Sequence, residues 1–341
     1  MVEKSLDMKE NLVARILKKI ASRIGATVLL EPIWGKVGQI TFKSGRRRYF
    51  RYSTLDINRT GASDIARDKD YAKFFMSQMG YPVIQGKAFC SEEWAAIIGS
   101  KNSAAATYRY AKKLGWPVII KPNGSSQGRG VAKVETRREF EMAWRAASKI
   151  DHMILVERFI EGRDYRIVVL DNRVISAYER IPLSVEGDGK TSVRDLLARK
   201  QRRFKEIGRD TVLNFKDPRI VAKLSRLGLS FVSKPERGRT IFLLDNANLS
   251  GGGDSVDVTA VINDGFKNLA IRLTKDMGLR FCGVDVITKS DIRHSPIKNK
   301  YWVIEINSAP GLDHYATIGG GQKRIVEDLY TQVLKAMDAD M

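Results

Sequence analysis

Only two of the 341 residues are cysteine, Cys90 and Cys282, so no disulfide framework can hold this chain together. Histidine is as scarce. His152, His294 and His314 are the only three, and none stands in a pattern suggesting a nucleophile–base–acid triad. No apolar run approaches the roughly 18 to 20 residues that cross a bilayer. The N-terminus places Leu12, Val13, Ile16, Leu17 and Ile20 at helical spacing among charges, without the unbroken apolar core of a signal peptide. Internal repeats and low-complexity tracts are also missing. Together these absences lead to the expectation of a cytoplasmic protein with no membrane partner.

What is present suits a globular enzyme. At 43% hydrophobic, the chain can bury one large core or the cores of two to three subdomains. The formal net charge is +20, which attracts polyanions of any kind. Part of it is local: Arg199 to Arg239 holds 13 Lys or Arg against 4 Asp or Glu, an excess of 9. A second cluster sets Arg46, Arg47, Arg48 and Arg51 beside Tyr49, Phe50 and Tyr52. Zinc-finger spacing and the ribonucleoprotein motif are both lacking, so these clusters read as solvated faces or contacts to an acidic substrate rather than to nucleic acid.

Residues 1 to about 62 read as a helix and short strands (Thr27–Leu30, Gln39–Phe42, Tyr49–Tyr52). A helix is expected over Ser63–Met79, capped by Ser63 or Asp64, with Ile65, Tyr71, Phe74, Phe75 and Met79 as its apolar side. Further helices are expected near 92–98, 104–114, 136–147 and 266–277, and a mostly helical, basic stretch over 192–227. Strand patterns cover 116–122, 131–134, 152–159, 165–170, 173–180, 281–288 and 301–307, with a hairpin turn at Asp171-Asn172. This mixture predicts an α+β architecture with at least two lobes.

Three constellations carry chemistry. In the first, Ile119 to Val131, a loop with Gly124, Gly128, Gly130, Ser125 and Ser126 joins two strands, with Lys121 at its edge. Glycines let successive N–H groups turn toward one point, which suits a phosphate oxyanion. No Gly-Lys-Ser/Thr follows, so this is no Walker A loop, and the next element is a strand, which excludes a dinucleotide fingerprint. An ordinary hairpin tip is the alternative. In the second, Asp285 lies in one apolar strand and Glu305 and Asn307 share a face of another. Two carboxylates and an amide oxygen are hard ligands of the kind Mg²⁺ takes, and a structural ion pair is the alternative. The third is Leu155 to Arg166, an apolar strand running through a Gly turn into another. Its backbone can read an adenine, and taken alone it also fits a solvated strand pair.

The order of these segments, with Asp68-Lys69, Glu179-Arg180-Ile181-Pro182, Gly187-Asp188-Gly189-Lys190, Ala247-Asn248-Leu249-Ser250-Gly251-Gly252 and Ala309-Pro310-Gly311, resembles the ATP-grasp ligases over roughly residues 63 to 318. The likeness is nearest to the ATP-grasp portion of cyanophycin synthetases, with kinship to RimK-like and glutathione-synthesis ligases. It implies two α+β lobes holding ATP between them. A short N-terminal region (1–62) would precede an ATP-grasp domain (63–341), divided into lobes 63–154 and 155–341 with a basic insertion at 192–240. It also implies an amide bond formed between a carboxylate and an amine through an acyl phosphate, with amino acids or an acidic peptide as substrates.

Lys69, Lys121, Ser125, Ser126, Gln127 and Gly128 would then hold the nucleotide's phosphates. Glu157 with the backbone of Phe159 and Ile160 would form the adenine hinge, and Asp164 would bind ribose. Arg166, Arg180 and Asn248 would face the transferred phosphate, and Asp285, Glu305 and Asn307 would hold two Mg²⁺ ions, or Mn²⁺ in their place. A homo-oligomer is compatible with this reading. The sequence departs from these relatives in three places. Leu244-Asp245-Asn246 stand where they carry an arginine, the N-terminal region is short, and cyanophycin synthetases have a Mur-ligase-like domain after the ATP-grasp portion where this sequence ends at Met341, so a second ligation activity is not expected. Other readings of the whole are a phosphotransferase that needs no amine, and a basic nucleic-acid-binding protein on a degenerate fold.

Overall fold

The computed structural model describes residues 12–209 and 211–339. The segment before Leu12, which falls in the expected N-terminal region, lies outside the described residues, as do Asp210, Asp340 and Met341. Among the described residues no helix is long and apolar enough to cross a membrane.

Four short strands come first: β1 (Thr27–Leu30), β2 (Val37–Thr41), β3 (Arg47–Arg51) and β4 (Thr54–Leu55), an antiparallel sheet in that order. The helix Leu12–Ala21 buries Val13, Ile16, Leu17 and Ile20 between this sheet and the C-terminal helix Gly320–Ala339. The first and last described helices thus share one core.

A second sheet holds β5 (Gly86–Cys90), β6 (Val118–Pro122), β7 (Ala132–Val134) and β8 (Met153–Arg158) in the order β5-β8-β6-β7, all antiparallel. Its strands alternate. Val118, Ile120, Ile154 and Val156 pack against helices Ala104–Leu114 and Arg137–Ser148, whereas Ile119, Lys121 and Glu157 turn to the other face. The second of these helices begins with a capping box, Thr136 and Glu139 satisfying each other's backbone N–H. This sheet runs to Arg158, so the strand carrying Glu157 belongs with the loop rather than with the lobe that follows.

The remaining strands are β9 (Arg163–Leu170), β10 (Arg173–Ile181), β11 (Ser184–Glu186), β12 (Thr240–Phe242), β13 (Asp254–Asp257), β14 (Phe281–Thr288) and β15 (Tyr301–Asn307). β11 and β12 form a two-stranded ribbon beneath the basic helices Val193–Glu206 and Pro218–Arg226. The other five build the antiparallel sheet β13-β10-β9-β14-β15. β9 and β10 turn at Asp171-Asn172, where Asp171 takes a left-handed φ of 50°. One face of this sheet carries Tyr165, Ile167, Val169, Val284 and Val286, packed against Phe266, Leu269 and Leu273 of helix Asp264–Asp276. The other face is polar toward the cleft.

The expected helix over 63–79 is two helices, Thr60–Arg67 and Lys69–Gln78, broken at Asp68. Asp68, not Ser63 or Asp64, caps the second, accepting the Tyr71 N–H at 2.9 Å. Its faces are also reversed from expectation. Tyr71, Phe74, Phe75 and Met79 are 39–59% exposed, whereas Ala72, Lys73 and Met76 are buried. The helix turns Lys69 and Lys73 inward to meet charge partners, and tertiary ion pairing overrides hydrophobic periodicity.

Gly86 sits opposite Glu157 in β5, where an added Cβ would lie 2.7 Å from both Glu157 Cγ and the Val156 carbonyl. Gly86→Ala should therefore destabilise the chain by about 1–3 kcal/mol, read as a lower urea midpoint at unchanged slope. A shift below about 0.5 kcal/mol would mean that the backbone yields freely there.

Candidate active site

Between the lobes lies a cleft of about 1640 Å³. Its floor is the polar face of the five-stranded sheet, and register sets what lies side by side there. Asp164 is paired with Arg180 and Ile287, Arg166 with Tyr178 and Asp285, Asp285 with Glu305, and Gly283 with Asn307. A bulge in β15 adds Ile304, so Ile304 and Glu305 both face the cleft while Val303 and Ile306 stay in the core.

The charges on this floor are interlocked. Arg166 grips Asp285 with both edges, Nε to Oδ1 and Nη2 to Oδ2, each at 2.7 Å. Arg180 donates to Asp164 Oδ1 from Nε at 2.9 Å and Nη2 at 2.6 Å, and its Nη1 lies 2.9 Å from Asp285 Oδ2. Glu305 lies between Arg166 (3.8 Å) and Lys69 (3.9 Å), and Asn307 Nδ2 donates to Glu305 Oε1 at 3.3 Å. Burial pushes Asp164 up to about 6, with Asp285 adding to the rise and Arg180 opposing it. For Glu305 burial is outweighed by Lys69, Lys121 and Arg166, which hold it well below the usual carboxylate range. Gly283 makes room here: a Cβ would meet Pro310 at 3.1 Å and the Arg166 Cδ at 3.3 Å.

The roof is the Gly-Ser loop. Its carbonyls are taken by protein donors. Lys69 Nζ holds the Asn123 (3.1 Å) and Ser125 carbonyls, Arg129 N–H the Ser126 carbonyl, and Arg219 the Gly128 and Val131 carbonyls (3.2 Å each). By contrast, no acceptor among the described residues takes the N–H groups of Ser125, Ser126, Gln127 or Gly128. Gly128 presses on the opposite lobe, where a Cβ would meet the Asn248 side-chain nitrogen at 2.9 Å. Asn248 is itself fixed, its Oδ1 accepting from Ser250 N–H at 2.9 Å and Ser250 Oγ at 2.7 Å. A loop with pinned carbonyls and open amides has the geometry to receive an anion.

At the inner end of the cleft, Glu157 is buried between two cations, Lys73 on Oε1 and Lys121 on Oε2 at 2.6 Å. Its carboxylate faces the lysines in this structure, and Phe159 donates its N–H to the Pro117 carbonyl at 3.3 Å. The carbonyl of Phe159 and the N–H of Ile160 lie at the cleft edge without a backbone partner among the described residues, beside apolar Ile84, Ile119 and Ile287. Two lysines share one carboxylate, so burial dominates: it drives Lys73 well below the ordinary lysine range and Lys121 down to about 8, the latter against Glu305.

The structure thus brings every expected residue to one cleft: Lys69, Lys121, Ser125–Gly128, Glu157–Ile160, Asp164, Arg166, Arg180, Asn248, Glu305 and Asn307 line it, and Asp285 lies just beneath. Sequence reasoning missed Lys73 and Arg219. The signal for Lys73 was its position one turn after Lys69 on the face that also carries buried Met76. The basic segment also looks different in three dimensions. Arg209 donates to the Leu249 and Gly253 carbonyls, Lys200 pairs with Asp254, and Lys223 and Arg226 pair with Asp245. Much of that charge is structural, and Asp245 is its partner at the very place where the sequence departs from its likeness.

Two family models match the chain, one described as the D-ala D-ala ligase C-terminus over residues 75–188, the other as the RimK-like ATP-grasp domain over residues 245–327. The basic helices fall in the interval between them. Among curated proteins, the glutathione biosynthesis bifunctional protein of Enterococcus faecalis is 32% identical over 288 residues, 80% of this chain and 36% of that protein. Cyanophycin synthetase of Nostoc sp. is 32% identical over 267 residues, 77% of this chain and 28% of that protein. The chain thus spans about a third of the length of these relatives. A bifunctional glutathione synthetase from Pasteurella multocida superposes with a TM-score of 0.58 at 24% identity, over 95% of this chain and 44% of that one, a likeness of fold.

Lys121 holds its charge below about pH 8 and loses it above. Affinity for ATP should therefore fall as pH rises through about 8, measured by calorimetric titration of the free protein. Lys121→Arg, whose guanidinium stays protonated, should flatten that limb. A limb unchanged in this variant would assign it to another group.

Proposed function

We propose that this chain, which belongs to the ATP-grasp family, joins a carboxylate to an amine with ATP as energy source, by way of an acyl phosphate. One observation carries the reading: the open amides of the Gly-Ser loop face a floor of paired arginines and carboxylates across a single cleft. The cations Lys69, Lys121, Arg166 and Arg180 supply charge where a triphosphate and its transferred phosphoryl group would lie. Arg166 and Arg180 are held at the floor of the cleft by Asp285 and Asp164. Catalysis in this scheme rests on positioning and electrostatics, with no side-chain nucleophile. That suits the cysteines: both are buried, and burial drives the Cys282 thiol up to about 12.

Asp285, Glu305 and Asn307 are the residues that would hold magnesium. Their donor set fits, because Asp285 and Glu305 are cross-strand partners and Asn307 turns its amide nitrogen to Glu305, leaving its oxygen as a free donor. Asp285 spends both oxygens on arginines here, so it would serve a cation only as those arginines turn to phosphate. Bound there, Mg²⁺ would neutralise charge on the phosphates. The closed loop keeps water from the labile acyl phosphate.

Amino acids or a short acidic peptide are the substrates we favour. Lys205 lines the cleft on one side, and Arg15 and Lys36 on the side of the N-terminal sheet.

ADP release with Mg²⁺-ATP across a panel of amino acids and acidic peptides, with mass spectrometry of the product, tests this reading. Glu305→Ala should lower turnover by at least about a hundredfold, the order expected when several kcal/mol of charge stabilisation is lost. A fully active variant would remove Glu305 from the site. If the acceptor is acidic, its KM should rise between about 0.05 and 0.2 M salt while that of a neutral acceptor stays level.

A further inference from the structure

The helix Pro218–Arg226 is not part of the ATP-binding scheme above, yet it touches the roof of the cleft. Arg219, Lys223 and Arg226 stand at i, i+4 and i+7, which puts three cations on one face. The neighbouring face buries Ile220 and Leu224 against Leu183, Val185 and Leu196, so the helix is anchored to its own lobe. From that anchor Arg219 Nη1 reaches the carbonyls of Gly128 and Val131 at 3.2 Å each, while Nε and Nη2 are gripped by the two oxygens of Asp217 at 3.0 and 2.7 Å. Asp217, itself buried, also caps the helix by accepting the Arg219 N–H at 2.9 Å. Two turns on, Arg226 bridges Glu135 (3.1 Å), just past β7, and Asp245 (3.2 Å), which Lys223 also holds. The helix thus grips the loop hairpin at both ends.

We infer that Arg219 is a positioning residue for the nucleotide: it draws the Gly128 and Val131 carbonyls outward and so keeps the loop amides turned into the cleft. Lys69 does this at the start of the loop and Arg219 at its end. Lys69 acts from a helix packed with the core of the five-stranded sheet, and Arg219 acts from the basic insertion. Loop closure therefore depends on a segment that neither matched family model covers. A guanidinium suits the task better than an ammonium, since one edge is fixed by Asp217 while the other stays free to donate.

This inference rests on reading the loop as a phosphate site, and the test separates the two. The probe is adenylyl-imidodiphosphate with Mg²⁺, with affinity read by calorimetry and loop order by hydrogen–deuterium exchange over residues 124–131. In the wild-type chain the nucleotide should protect the amides of 125–128. Arg219→Gln should weaken affinity about tenfold, the effect of losing charged hydrogen bonds, and abolish that protection while circular dichroism shows the fold retained. Asp217→Asn keeps the helix cap but frees the guanidinium, so it should act in the same direction, and the double variant should be less than additive. Arg219→Lys should recover part of the affinity. Equal affinity and equal protection in wild type and Arg219→Gln would overturn the role of Arg219 and leave the phosphate site standing. A wild-type chain that binds no nucleotide would overturn both.

Discussion

The constraint on which the rest of the site depends is the withdrawal from water of four charged side chains on one face of a β-sheet, Asp285 fully buried and Asp164, Arg166 and Arg180 largely so. A charge taken from water is costly unless partners replace its hydration, and removing one member of such a set strands the others. Here the set is closed by geometry: Asp285, fully buried, receives both arginines, and Arg180 is shared with Asp164. Cross-strand register places these residues opposite one another, so the sheet cannot slip without separating the charges. The helix Asp264–Asp276 on the far face holds that register through Phe266, Leu269 and Leu273.

The other lobe answers this floor with a different device. Lys73 and Lys121 share the buried carboxylate of Glu157 at the root of the Gly-Ser loop. Gly86 leaves the space for Glu157 to sit there. The loop above is held by its carbonyls, which leaves its amides as the polar groups in need of partners. Lysines at the root, open amides above and guanidinium groups across the cleft suit a polyphosphate. The basic insertion, whose charge suggested a polyanion partner, spends much of that charge on internal contacts to Asp245, Asp254 and the backbone. The high net charge is therefore only partly available to a ligand.

Much of this was legible in the residues themselves. The strands 281–288 and 301–307 stand where their apolar alternation places them, and Glu305 and Asn307 share a face because strand periodicity is two. The cap of helix Arg137–Ser148 and the turn at Asp171-Asn172 are likewise local and readable. The helix over 69–78 was not. Its aromatics mimic a core stripe, but its buried side is set by where Lys69 and Lys73 find carboxylates and carbonyls more than fifty residues away. The bulge that turns both Ile304 and Glu305 to the cleft left no mark in the alternation either.

Sequence by itself determined the elements and the chemical inventory, because periodicity, turn residues and side-chain type are local properties. It settled that Lys121, Asp285 and Glu305 would be present on strands and that glycines would loosen one loop. Tertiary structure alone decided the partners. Asp285 is held by two arginines from two other strands, Glu157 answers two lysines, and a helix from the basic insertion latches the loop. Those choices depend on desolvation, since a buried charge takes the nearest compensating group in space, and proximity in space is set by packing rather than by order along the chain.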